Sequence, residues 1–172
     1  WPHRPTPLGW TRPTGEGQLL SPAIIRKGPG DWYVYVVEKQ TRKLQRWTAT
    51  GPETVTGSPT VCTGSFPANC TPWHLDVLWD GTAWRAILDS GPYYLSKPDG
   101  LFVGSSADGI AWTWNPTPVM MPAPGAWDGV ELYRTTFAPH ENGTHYRVWY
   151  SANDANAVSS FRMGYTELPK SL

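Results

Sequence analysis

The segment "PWHLDVLWDGTAWRAILDS" (residues 72–90) is two apolar, strand-length runs joined at Asp80-Gly81. Asp-Gly suits the left-handed backbone angles of a tight hairpin, so the runs read as two antiparallel strands. Downstream, "LFVGSSA" (101–107) supplies a third strand, and Asp108-Gly109 turns the chain into a fourth, "IAWTWNP" (110–116). The same order stands on both sides. Upstream, "LLSPAIIRK" (19–27) precedes "DWYVYVVEK" (31–39) and "KLQRWTA" (43–49). Downstream, "ELYRTTFAP" (131–139) precedes the turn pair Asn142-Gly143, then "THYRVWYSA" (144–152) and "FRMGYTE" (161–167). "ETVTGSPTV" (53–61) alternates weakly and offers one more strand to the first unit. No segment sustains an apolar period of 3.6, so helix content is expected near nil.

The second strands begin at residues 31, 82 and 144, roughly 50 to 60 residues apart, about the size of one propeller blade with its loops. Short strands, dense turn residues and this period predict an all-β β-propeller, with a sandwich of about ten strands as the alternative. Three blades are visible, at about 21–70, 71–125 and 126–172. Residues 1–20 read as a Pro-rich arm or linker. Closed propellers need about four to eight blades, so the chain reads as the last three of a larger ring, the others coming from elsewhere.

Composition excludes several classes. The 172 residues carry 14 basic and 14 acidic side chains, and this zero net charge argues against an electrostatically driven nucleic-acid binder. Eleven tryptophans are incompatible with disorder. No apolar run approaches the length of a membrane-spanning helix, so no membrane insertion is expected. The chain begins at Trp1 without a signal-peptide pattern, which reads as a processed chain or a piece of a longer one. Cys62 and Cys70, in the turn-rich "VCTGSFPANC", are close enough to bridge, and a disulfide is expected there; two thiols are the alternative. A bridge favours an extracellular or virion setting. Sequons at Asn69 and Asn142 decide nothing. The four histidines show no metal-ligand spacing, so no cofactor is expected, although the acidic loop "SANDAN" (151–156) suits a structural calcium ion.

The runs "LLSPAII…DWYVYVVEKQTRKLQRWTATGPETV", "PWHLDV…GTAWRAILDS…LFVGSSADGIAWTW" and "LYRTTFAPHENGTHYRVWYSAN…FRMGYTEL" resemble successive blades of five-bladed propellers. The similarity is to the glycoside hydrolase group of arabinanases, β-xylosidases and fructan-processing enzymes. In style it is close to hydrolase-like propellers of actinobacterial phage tails and other virion proteins. The resemblance implies that the first strand of each blade lines an axial tunnel and that acids there carry out hydrolysis. It places Ser21 near the position where the third blade of such enzymes carries its general acid. A hydroxyl cannot act as that acid near neutral pH.

Candidate site residues follow from these first strands. His74 and Asp76 stand two apart on one strand and so face the same way. Asp76 is the candidate catalytic or sugar-binding carboxylate, and His74 a donor to sugar hydroxyls. The alternative is a hydrogen-bonded clasp between blades. Arg134 is the one charge in the middle of its first strand and suits a carboxylate, from Asp76 or an acidic sugar, or an inter-blade salt bridge. Tyr133 and Thr136 belong to the same surface. Asp128 and Glu131 are acids at the rim, though "WDG" is also ordinary turn chemistry. Trp73 and Trp127 flank first strands and are the favoured sugar platforms, with Trp10 and Trp149 as further candidates. Trp32, Trp84, Trp112 and Trp114 are assigned to packing between blades. Asp89, at the end of a second strand, reads as a loop cap.

Ser21, His74 and Arg134 are expected to converge on the axis. The reading is a carbohydrate-recognising or structural propeller segment of a secreted or virion protein acting in host recognition, non-catalytic as it stands. Its expected partners are a glycan and the blades or subunits that complete the ring. The alternative is a glycoside hydrolase acting on plant or bacterial surface polysaccharide, with acids supplied in part by missing blades.

Overall fold

The computed structural model describes residues 17–52, 54–68, 70–91, 100–154 and 160–171. The expected arm with Trp10 lies largely outside these residues, as do Asn69 and the end of the "SANDAN" loop. Among the described residues, eleven strands form three antiparallel sheets, each built from strands consecutive in sequence. The first sheet comprises β1 (Leu19–Gly28), β2 (Asp31–Glu38), β3 (Leu44–Gly51) and β4 (Thr54–Val61). The second comprises β5 (Pro72–Trp79), β6 (Trp84–Ser90), β7 (Gly100–Ser106) and β8 (Thr113–Trp114). The third comprises β9 (Glu131–Pro139), β10 (His145–Asn153) and β11 (Arg162–Pro169). No helix occurs among the described residues, and none is long and apolar enough to cross a membrane.

The fold is all-β, and the sheets are propeller blades. β5 lies beside β1 on one side and β9 on the other, so the first strand of each blade is its innermost. The first hairpins of the second and third blades are tied by the turn residues that the sequence offers. Asp80 Oδ1 accepts the Thr82 and Ala83 amides, and Asn142 Oδ1 those of Thr144 and His145. The glycines that follow, Gly81 and Gly143, have φ of 98° and 74°. β1 begins at Leu19, the first residue of the run "LLSPAIIRK", and Leu19 pairs with Glu38.

The core lies in the seams between blades. Ala23, Ile25, Tyr35 and Val37 of the first blade meet Leu75, Val77, Trp84, Ala86 and Leu88 of the second. Ile87 and Leu101 of the second meet Leu132, Phe137, Tyr146 and Val148 of the third. Trp84 centres the first seam, with its ring 5.1 Å from Tyr33, 5.6 Å from Tyr35 and 5.4 Å from Trp79. Trp112 and Trp114 stack at 5.7 Å and are buried with it. Trp32 is partly exposed and lies under Arg26.

Two expectations are corrected. The fourth strand of the middle blade shrinks to Thr113–Trp114, because the residues before it bond to the first blade instead: Thr63 N donates to Ile110 O and Trp112 N to Thr63 O, both at 2.9 Å. The same junction explains why Cys62 and Cys70 form no disulfide. Cys62 is held to β3 through its amide, which donates to Leu44 O, and its thiol faces Gly109 O at 3.8 Å. The Cys70 amide closes a separate turn onto Pro67 O, and its side chain packs in the first seam. Burial pushes the Cys62 thiol up to about 11.

Two measurements check this packing. Two thiols per chain are expected by mass spectrometry after alkylation in denaturant, with slow labelling of the native protein and no change in melting temperature on adding reductant. A Cβ at Gly104 would stand 2.6 Å from the Trp114 ring, whereas one at Gly51 would meet nothing within 4 Å. Gly104→Ala is therefore expected to cost about 1–3 kcal/mol in urea unfolding, and Gly51→Ala to stay within about 0.5 kcal/mol of the parent.

Candidate functional site at the inner strands

All three innermost strands carry an irregularity near their N-terminal ends. In β1, Ser21 and Pro22 interrupt the register between the Leu20–Val37 and Ala23–Tyr35 pairs. In β5, Trp73 and His74 do so between Pro72–Ser90 and Leu75–Leu88. In β9, Arg134 is the extra residue between Tyr133–Ser151 and Thr135–Tyr150. Extra residues of this kind bend a strand and re-aim its side chains. Ser21 (φ 39°) and Arg134 (φ 29°) are held in left-handed conformations that ordinary residues adopt only at a cost.

The bulges bring the named residues together. Ser21 Oγ is hydrogen-bonded to His74 Nδ1. The Tyr133 ring stands edge-on to the His74 ring at 4.7 Å, and the Arg134 guanidinium lies 5.7 Å from the Tyr133 ring centre. Ser21, His74, Tyr133 and Arg134 thus form one chain of contacts across three blades. His74 is only 5% exposed, and its Nε2 is buried without a hydrogen-bond partner. Burial, with the Arg134 charge adding to it, lowers the His74 pKa to about 4, so the imidazole is neutral at pH 7.

Groups freed by the bulges are satisfied locally. The His74 amide donates to Asp89 Oδ1, and the Tyr133 carbonyl accepts from Ser151 Oγ at 2.7 Å. Asp89, 1% exposed, is therefore a support of the site where a loop cap was expected. Pro22 inside a strand was a sequence signal for the irregularity of β1, whereas nothing local in the sequence marked Asp89 as the support of the one in β5.

The remaining candidates are placed as follows. Asp76 Oδ2 accepts from Thr136 Oγ1 at 2.7 Å and from the Phe137 amide at 3.3 Å, while Oδ1 accepts the Val77 amide at 2.9 Å. His74 and Asp76 do both meet the third blade, and the Asp76 carboxylate forms a clasp there. Burial raises its pKa, with those three bonds opposing the shift. Trp73 is buried between the Arg42 guanidinium at 4.6 Å and the edge of His74 at 5.9 Å, so its face is not an open platform. Trp127 and Asp128 meet at Tyr150 instead. The Trp127 ring stacks on Tyr150 at 5.7 Å, and Tyr150 Oη donates to Asp128 Oδ2 at 3.0 Å. Trp127 also walls a cavity of about 290 Å3 with Pro124, Val130 and Asp154. Glu131 accepts from Asn153 Nδ2 at 3.3 Å, and burial raises its pKa. Among the described residues, no three His, Cys, Asp or Glu side chains are grouped to hold a metal ion.

No protein-family model and no curated protein matches this sequence. Solved structures do match its fold. An N-acetylgalactosamine deacetylase from F. plautii, in complex with blood group B trisaccharide, superposes with a TM-score of 0.71 at 22% identity, over 90% of this chain and 51% of its own. A family 117 glycoside hydrolase from the marine bacterium Zobellia galactanivorans gives 0.68 at 14%, over 95% and 56%. A thermostable family-43 glycoside hydrolase gives 0.64 at 12%, over 92% and 52%. The chain spans about half the length of these structures, and it shares the fold of propeller glycoside hydrolases.

The depressed His74 pKa makes stability depend on pH. The neutral imidazole is favoured in the folded state, so its full contribution is present above about 6.5 and is lost as pH falls towards 4. The expected outcome is a loss on the order of 2–3 kcal/mol over that interval by urea unfolding, and a flatter profile for His74→Gln.

Proposed function

We propose that this chain is the glycan-recognising part of a β-propeller, with its ligand at the N-terminal end of the inner strands. The observation that carries the reading is the irregularity repeated in β1, β5 and β9. It turns Ser21, His74, Tyr133 and Arg134 towards one another at the cost of two strained residues. A sheet serving only as scaffold has no use for that strain. A hydroxyl, a neutral imidazole, a phenol and a guanidinium give hydrogen-bonding and stacking chemistry suited to sugar hydroxyls.

Glycoside hydrolysis requires two carboxyl groups flanking the scissile bond. The nearby acids have other occupations: Asp76 bonds the third blade, Asp89 the His74 amide, Asp128 Tyr150, and Glu131 Asn153. Binding without hydrolysis is therefore the preferred reading. The second reading is a glycoside hydrolase whose remaining acids lie on other blades, and the half-length match to propeller hydrolases favours it. Both readings place the chain in a larger ring, five-bladed in the group it resembles. The outer face of the third blade supports this, leaving Phe161 43%, Tyr165 51% and Met163 78% exposed. Such a propeller belongs outside the cell, secreted or on a virion surface such as a phage tail, where host glycans are met.

Glycan-array binding and calorimetry test this. The expected result is binding of an oligosaccharide that His74→Ala and Tyr133→Ala each weaken at least tenfold, with no sugar released from arabinan, xylan or aryl glycosides. Binding unchanged in both variants would overturn the site. Hydrolysis by the chain alone would transfer the preference to the second reading.

A further inference from the structure

Between the first and second blades, beside the β2–β3 turn, an open cavity of about 220 Å3 has both its walls in this chain. Arg42 and Lys43 of the turn stand on one side and the connecting segment 63–66 on the other, with Trp112 and Trp114 of the second blade completing the wall. Phe66 and the two indoles belong to the first seam, so the cavity is apart from the outer faces that further blades would cover. Among the described residues no carboxylate lines it, and the exposed Lys43 has no ion-pair partner. Gly64 and Ser65 are exposed, and their amides make no hydrogen bond to the described residues.

Arg42 is the residue that points to a ligand. Its φ is 57°, a left-handed angle that glycine takes without cost and arginine does not. A turn needed only to reverse the chain would be served better by glycine. The guanidinium lies 4.6 Å from the Trp73 ring centre, and its Nη1 donates to Pro72 O at 3.3 Å. Trp73 in turn meets the His74 ring, so a single arginine joins the cavity to the Ser21–His74–Tyr133 cluster. The acid beside the turn, Glu38, is buried and bonded to the amides of Gln40 and Thr41.

We infer that this cavity takes an anionic substituent of a glycan, a carboxylate or a sulfate ester, between Arg42 and Lys43 on one side and segment 63–66 on the other. The inference rests on the glycan reading above and gives that glycan a charged class. A guanidinium presents five N–H donors in a fork that matches anionic oxygens, and a lysine adds a mobile point charge. Such charge-assisted bonds are roughly twice as strong as neutral ones. The hydroxyls of Thr63 and Ser65, both exposed residues, supply partners for ring hydroxyls.

The experiment titrates oligogalacturonate beside its carboxyl-reduced form, and chondroitin sulfate oligosaccharides beside their desulfated form. Binding is followed by calorimetry at low and high salt and by the amide NMR signals of Gly64 and Ser65. At least one anionic form is expected to bind about tenfold more tightly than its counterpart and to shift both signals, with the advantage shrinking as salt rises. Which pair shows the difference separates carboxylate from sulfate. Arg42→Gly and Lys43→Gln are each expected to remove most of that advantage. Lys43→Gln alters neither the Trp73 contact nor the left-handed residue, so it keeps the test independent of folding. Equal affinity within both pairs overturns the anionic subsite and leaves glycan recognition standing. So does a preference that survives both substitutions, or one that leaves Gly64 and Ser65 unshifted. Failure of every glycan to bind removes both readings.

Discussion

A strand with one residue too many has a backbone amide with no place in the ladder. In β5 that amide belongs to His74, and the buried Asp89 carboxylate on the adjacent strand takes it. Much of the candidate site depends on this bond. It fixes the irregular stretch of β5, which lies between the two other inner strands, and so sets where the His74 ring meets Ser21 on one side and Tyr133 on the other. An unsatisfied buried amide would cost about 1–3 kcal/mol, so the carboxylate stabilises the very distortion that gives the site its shape.

The architecture was legible in the sequence because it is written in local chemistry. Asp80-Gly81, Asp108-Gly109 and Asn142-Gly143 each form the turn that their residue types demand, and the apolar runs around them became strands within a few residues. The meeting of Ser21 and His74 was legible too, since each sits at the third position of its inner strand. The third-blade residue expected with them was Arg134, but the ring that meets His74 is that of Tyr133, one position earlier, because Arg134 is the extra residue of the bulge. What sequence spacing did not convey was the partner of each polar group. Asp76 carries no local sign that Thr136 and Phe137, about 60 residues away, occupy its carboxylate. Trp73 looked like a platform because it flanks an inner strand, yet it is covered by Arg42 from the previous blade. The cysteines illustrate the same limit: their closeness in sequence was visible, but the bonds tying Cys62 to Leu44 and Thr63 to Ile110 and Trp112 were not.

The blades are polar at one end and apolar in their seams, and this division follows from geometry. Glu38, Asp89 and Asn153, all buried, lie at or next to the last position of β2, β6 and β10, beside the starts of the inner strands. Each accepts or donates a bond there: Glu38 to the turn amides of Gln40 and Thr41, Asp89 to His74, Asn153 to Glu131. Away from that end the seams hold Trp84, Ala86 and Val148 with almost no exposure. Apolar packing holds neighbouring blades together, and the ordered polar groups give one end its chemical character.

Because every sheet is made of strands that follow one another along the chain, each blade closes on itself before it meets the next. Ribosomal synthesis delivers the strands in the order in which they pair, innermost first. Hairpins therefore need only short loop closures, and the slower search is confined to docking finished sheets side by side. A propeller wired in this way grows by addition of preformed sectors, and its size is open to change by gain or loss of whole units without rewiring those already in place.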